Sequence, residues 1–146
     1  MNNYTKNDFF ILWLVLLLLT CTCTNQGKIN NVSINIGESE KFSIKEINEA
    51  MDCVKDKFKG FEGCNLTKLL YDENRSNKSI EVYLKYGKGS TNGAKAENVI
   101  FLFSSFDVGS SGVKQGFNPN STYSNWNWIL IRDNEQDKWR IDDWGY

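Results

Sequence analysis

Apolar and polar positions alternate with different periods along the chain, and the period of each block predicts its element. Ile44, Ile47, Met51, Val54 and Phe58 recur at the spacing of one helical face, with Lys45, Glu46, Glu49, Asp52, Lys55 and Asp56 covering the other. Ser43 followed by Glu46 forms a capping-box pattern, and Gly60 and Gly63 in "KGFEG" supply the stop. Cys64 to Tyr71, "CNLTKLLY", reads as a strand with Leu66 and Leu70 on one side and Leu69 and Tyr71 on the other. "DENRSNKS" breaks it. The next apolar block, "SIEVYLKYG", fits two periods: Ile80, Tyr83, Leu84 and Gly87 suit a helix, whereas Ile80, Val82, Leu84 and Tyr86 suit a strand. Asn98 to Val108, "NVIFLFSSFDV", is apolar on both faces, as an interior strand requires. A long loop with Pro119 follows, and "WNWILIRD" and "KWRIDDWGY" then form a hairpin around "DNEQD". One helix followed by mostly antiparallel strands implies an α+β roll or open barrel.

The N-terminal apolar run from Phe9 to Leu19, "FFILWLVLLLL", has the length of a signal-peptide core and is well short of the ~20 residues of a membrane-spanning helix. It ends in "LLTC", which resembles the bacterial lipobox and makes Cys21 the expected lipidation site. Thr20 stands where a smaller residue is usual, so an ordinary cleaved signal or an uncleaved anchor are the alternatives. Cys23, behind Thr22 and Cys21, matches less well. A diacylglyceryl group brings two acyl chains, the number that stable anchoring takes. The expected division is a signal peptide over 1–20, a polar tether over 21–41 and a single α+β domain over 42–146. Within the tether, Val32, Ile34 and Ile36 alternate with Ser33 and Asn35, a pattern that allows a short edge strand. The expected location is the extracytoplasmic face of a bacterial cell membrane, reached through the N-terminal lipid; without lipidation the domain is secreted.

Charge and cysteine content narrow the chemistry. With 17 basic and 18 acidic residues in 146, the chain lacks the basic excess that binds nucleic acid. Histidine is absent, which removes the commonest general base and metal ligand together. No metal site and no cofactor are expected, because Cys53 and Cys64 without histidine or a CxxC pair fall short of a zinc ligand set. In an exported domain these two cysteines either form a disulfide across the glycine turn or remain as two reduced, buried thiols.

"FEGCNLTKLLYDE", "SSFDV", "NPNSTYSNWNWILIRDN" and the terminal "DDWGY" occur in this order, and over Phe42 to Tyr146 the chain resembles small lipoproteins of gut Firmicutes that have no assigned activity. The resemblance implies an NTF2-like or cystatin-like layer, an N-terminal helix packed on a curved antiparallel sheet. It also implies a helix over Ser76 to Gly87. It carries no reaction or ligand.

The C-terminal hairpin is the expected site. Trp126, Trp128 and Leu130 point one way and Ile129 and Ile131 the other; Trp139 and Ile141 are expected beside the isoleucines, and Trp144 near Trp126. Trp126, Trp128 and Trp144 among Asn125, Asn127, Asp142 and Arg132 would make a sugar- or peptide-binding surface, unless the same tryptophans fill the core. Adjacent Asp142 and Asp143 should face opposite sides, leaving at most one of them to pair with Asp107 as an acid/base couple. The expected function is a tethered, cofactor-free binding domain without catalysis. The alternatives are an NTF2-like small-molecule pocket or enzyme, and a partner-specific inhibitor or immunity-type protein.

Overall fold

The computed structural model describes residues 26–146, the side chains of residues 113–115 excepted. Five strands form one mixed sheet in chain order: β1 (Ser33–Ile36), β2 (Cys64–Tyr71), β3 (Val99–Val108), β4 (Ser121–Ile131) and β5 (Arg140–Gly145). Helix α1 (Ile44–Phe58) connects β1 to β2, and helix α2 (Glu73–Tyr86) lies between β2 and β3. The architecture is α+β with two helices on a five-stranded sheet. β1 runs parallel to β2, because the chain returns through α1, and the other pairings are antiparallel. The sheet is therefore mixed, its one parallel pairing being β1 with β2, where a mostly antiparallel sheet was expected.

Helix α1 begins as its sequence predicts. The Ser43 N–H donates to Glu46 Oε2 at 2.8 Å while the Glu46 N–H donates to Ser43 Oγ at 3.3 Å. Ile47, Ala50, Met51, Val54 and Phe58 are buried, each large one contributing about 1.5–3 kcal/mol by leaving water. Ile44, at the first helical position, stays exposed. The buried stripe sits on the sheet face built by Leu66, Leu69, Leu102, Phe106, Trp128 and Leu130.

Helix α2 covers the opposite face. Ile80 and Tyr83 pack with Val99, Phe101, Phe103 and Ile131, which alternate with the first set along β3 and β4. This explains why Asn98 to Val108 is apolar on both sides: β3 is the central strand, with a helix on each face. The ambiguous "SIEVYLKYG" is helical, capped by the Asp72 side chain, which accepts the Arg75 N–H at 2.9 Å.

The edge strand that the alternation allows within the polar tether is present as β1. Docking starts earlier still. The Gly27 N–H donates to the Lys59 carbonyl at 3.0 Å, and Lys28 exchanges main-chain hydrogen bonds with Cys64 and Leu66 at 2.9 Å. A Cβ at Gly27 would collide with the Phe58 carbonyl, so the chain passes there in a form that only glycine allows. Most of the segment expected to be a tether is thus part of the domain.

The hairpin differs from expectation at one residue. Ile129 pairs with Asp143 but Leu130 with Ile141, so Asp142 is an extra, bulged residue in β5. The bulge places Trp144 opposite Trp128, and Trp139 and Ile141 join the face of Trp128 and Leu130 rather than that of the isoleucines. It also cancels the alternation of the two aspartates. Asp142 accepts the Tyr83 hydroxyl at 2.7 Å and Asp143 pairs with Lys88 Nζ at 3.2 Å, so both serve the α2 side.

Candidate functional site

On the α2 face an open groove of about 540 Å³ runs between the helix and the end of β5. Its floor is Phe101 and Ile129, its helical wall Ser79, Val82 and Tyr86, and its far wall Gly145 and Tyr146. Val82, Tyr86 and Tyr146 are 60%, 73% and 78% exposed, so the groove presents apolar and aromatic surface to solvent. These residues project because α2 buries the Ser76, Ile80 and Tyr83 line, which leaves Val82 and Tyr86 turned away from it.

A rigid polar cluster holds the groove open. Tyr83 donates its hydroxyl to Asp142 Oδ2 at 2.7 Å and accepts the Asn92 amide at 2.8 Å. Gly89 packs flat against the same ring, where a Cβ would lie 2.5 Å from Tyr83 Cε1. Burial, and then the Asp142 carboxylate, push the Tyr83 phenol up to about 12. The phenol is thus a fixed donor at neutral pH. Lys88 adds a second clasp, donating to the Asp142 carbonyl at 3.2 Å as well as pairing with Asp143.

The residues expected to form the site are distributed differently. Trp128 is fully buried under α1, its Nε1 donating to Ser104 Oγ at 2.8 Å, so it is core. Trp126 is partly buried in an aromatic cluster, edge-on to Phe106 and Phe117. Trp144 is exposed beside Lys57, whose Nζ stands 4.3 Å from the ring centroid. Asn125, within β4, has a left-handed backbone at φ 57 and accepts from Arg75 at 3.4 Å. Of the expected set, Asn127 and Trp144 line the groove and Asp142 supports it. Asp107 accepts the Thr122 hydroxyl at 2.7 Å near the start of β4, whereas Asp142 sits beside Ile129 and Leu130. Seven strand positions at ~3.3 Å each separate those places, too far for an acid/base couple. Trp128 drops out of the expected aromatic face because α1 covers it, whereas Trp126 is half-buried and Trp144 stays exposed.

Val82, Tyr86, Tyr146 and Lys78 were not among the expected site residues. The signal for them was the helical reading of "SIEVYLKYG", which leaves Val82 and Tyr86 off the buried stripe. Cys53 and Cys64 are free thiols, the first donating to the Trp139 carbonyl at 3.6 Å and the second to the Glu62 carbonyl at 3.7 Å. Burial raises the pKa of both. Cys21, Cys23 and the signal segment lie outside the described residues. Among the described residues no helix is long and apolar enough to cross a membrane, and no group of three acidic or cysteine side chains is placed to hold a metal ion.

The family model described as Domain of unknown function (DUF4829) matches residues 17–145, a span that contains every strand and both helices. The chain belongs to the DUF4829 family. No curated protein and no solved structure matches it.

This DUF4829 domain has a second concavity, of about 950 Å³, between α1 and the β4–β5 turn. Its rim carries Glu49, Asp52, Asp56, Glu135 and Asp137, with Lys45 and Lys138 among them, so carboxylates outnumber cations there. Beside it, Arg132 is buried against the Trp139 ring at 4.4 Å and pairs with Glu46 Oε1 at 2.9 Å. The Ser43 hydroxyl first, and Arg132 in addition, hold the Glu46 carboxyl below the usual glutamate range. Within this DUF4829 chain the ion pair ties the start of α1 to the β4–β5 turn, while the acidic rim itself is solvated.

Proposed function

We propose that this protein is an exported, lipid-anchored binding domain that presents the α2–β5 groove at the extracytoplasmic face of the membrane. The observation that carries the binding reading is the groove itself: exposed Val82, Tyr86 and Tyr146 over a floor of Phe101 and Ile129, fixed by the Tyr83–Asp142–Asn92 cluster. A volume of about 540 Å³ falls within the ~300–1,000 Å³ of small-molecule sites. Binding there is non-covalent.

The anchoring rests on "LLTC" and on the position of Gly27. With Cys21 lipidated, only residues 22–26 separate the anchor from the docked chain, at most about 20 Å when fully extended. The domain would then ride close to the bilayer. Register shifts in three strand pairings, at Leu66/Lys68, Ser104/Phe106 and Ile129/Leu130, favour the NTF2-like or cystatin-like roll within this proposal, since bulges bend a sheet around its helix.

Intact mass and N-terminal analysis of protein recovered from its own membrane fraction tests the anchoring. A diacylglyceryl-modified Cys21 at the mature N-terminus supports it; a soluble chain with unmodified Cys21 removes the membrane from the proposal. Val82→Asp tests the site: it should abolish ligand uptake without unfolding the chain, because Val82 is exposed. A partner-specific inhibitor is the second reading, favoured by the acidic rim of the α1 concavity.

A further inference from the structure

We infer that the aromatic surface beside the C-terminal end of α1 rests in the interfacial layer of a lipid bilayer, and so sets which side of the domain faces the membrane. This deepens the anchoring reading, on which it rests, by naming the contact surface. Helix α1 packs on Trp128 and Phe106 through Phe58, its last residue, and beyond it the rings of Phe61 and Phe117 cap the sheet. Phe117 lies 5.2 Å from Tyr123 and 5.7 Å from Trp126 between ring centroids, and Tyr146 lies 5.2 Å from Trp126. Phe61 joins this array to the end of the helix, stacked on Phe117 at 5.5 Å. Lys57, Gly60, Phe61, Phe117 and Trp144 line an open hollow of about 290 Å³ at its edge.

Trp144 is 41% and Tyr146 78% exposed, while Phe117, Tyr123 and Trp126 are half-buried. Tryptophan and tyrosine suit the boundary between headgroups and acyl chains, because each joins an apolar ring to a polar tip. Charge contributes little to this contact. Lys59 pairs with Asp56 at 2.6 Å, and exposed Lys28 and Lys57 stand against exposed Glu62. Ring area therefore makes the contact, with Lys57, 4.3 Å from the Trp144 centroid, at the level of the phosphates.

The path of the chain selects a bilayer as the partner. The Gly27 N–H donates to the Lys59 carbonyl, and a Cβ at Gly27 would lie 2.9 Å from the Phe61 carbonyl. The chain thus enters against the same turn after α1 whose residues Gly60 and Phe61 line the hollow. From a lipidated Cys21 the intervening residues span at most about 20 Å, so this turn is the part of the domain held nearest the membrane. The start of α1 lies about 20 Å away along the helix and adjoins the concavity where carboxylates outnumber cations. Trp144 and Tyr146 also border the α2–β5 groove, and docking would bring that border to the membrane surface.

The test places the chain, as recovered from its membrane fraction, in vesicles of phosphatidylcholine or of brominated phosphatidylcholine, whose bromines quench tryptophan emission on contact. Trp126, Trp128, Trp139 and Trp144 lie in the domain, and Trp144 is the most exposed of them. Brominated lipid should quench the emission, and Trp144→Phe should remove most of that quenching. Tyr146→Asp should reduce it severalfold with Trp144 still in place, because interfacial binding scales with the apolar area buried. Ile44→Asp, at the other end of α1 and 58% exposed in the native chain, should leave it unchanged. If mass and vesicle flotation show a diacylglyceryl Cys21 but brominated lipid quenches the native chain no more than Trp144→Phe, the anchor stands and the docking surface is wrong. A chain without lipid that still floats and is quenched through Trp144 keeps the docking surface and loses the anchor; one that does neither overturns both. Quenching that Tyr146→Asp leaves unchanged, with loss of a concentration-dependent dimer in light scattering, assigns the surface to a second copy and overturns the proposal.

Discussion

Trp144 stacks on Trp128 across the β4–β5 pairing, ring centroids 6.4 Å apart at 28°, yet Trp128 is fully buried and Trp144 is 41% exposed. The pair marks where the core ends and the surface begins. Trp128→Ala should cost about 3–5 kcal/mol, because it opens a cavity among Phe58, Phe61 and Phe106, whereas Trp144→Ala should leave most of the stability intact. Urea unfolding midpoints of the two variants measure the difference.

The Arg132–Glu46 pair should behave asymmetrically. Arg132 is the buried partner, so Glu46→Ala leaves its charge stranded and also removes half of the capping box. A loss of roughly 3 kcal/mol is expected, near the lower end for broken buried pairs because Glu46 is partly exposed. Arg132→Met removes the charge together with the need for a partner and should cost less. Equilibrium denaturation of both variants decides the order.

Acid should loosen the same region. Glu46 and Glu73 both lie below the ordinary glutamate value of 4.5, Glu46 chiefly through Ser43 and Glu73 chiefly through Ser39. A carboxyl depressed in the folded state contributes stability above its unfolded value and loses it as pH falls through the folded one. Stability should therefore hold above pH 4.5 and decline below it, and Glu73→Gln should flatten part of that decline. Thermal melts between pH 3 and 7 follow the effect.

Tyr83 supplies a test at the alkaline end. Its phenol is raised to about 12, as is that of Tyr71, in both cases mainly by burial. A phenol raised in the folded state keeps its stabilising effect below the unfolded value of 10 and loses it as pH climbs towards 12. Ultraviolet titration should show two late-ionising tyrosines that disappear on unfolding. Tyr83→Phe should remove one of them.

The docked N-terminal segment makes a further prediction. Gly27→Ala should destabilise the domain through the clash with the Phe58 carbonyl, and limited proteolysis should spare residues 27–36 in the folded chain. Rapid cleavage within Ser33–Ile36 would mean that β1 is not held to β2.

Much of the fold is legible in the sequence because local signals agreed with tertiary demand. The capping box at Ser43 and Glu46, the 3.6-residue stripe of α1 and the two-faced apolar run of β3 each predicted the observed element. The failures share a physical cause: they depend on long-range placement. Nothing near Asp142 announces a bulge, so the expectation puts Trp139 and Ile141 on the wrong face and Trp144 beside Trp126, where the structure has it opposite Trp128. Nothing near Trp128 says that α1 lies over it. The groove was hidden for the same reason, since its walls come from residues on α2 and at the C-terminus that meet only in the folded chain.

Amide chemical-shift mapping of the full chain titrated with 8-anilino-1-naphthalenesulfonate, a fluorescent probe of exposed apolar surface, bears most directly on the binding groove. Perturbations should concentrate at Lys78, Ser79, Val82, Tyr86, Asn127, Ile129 and Gly145. Perturbations concentrated instead on Glu49, Asp52 and Lys138, beside the α1 concavity, or spread without focus over the surface, would contradict the assignment of the α2–β5 groove as the site.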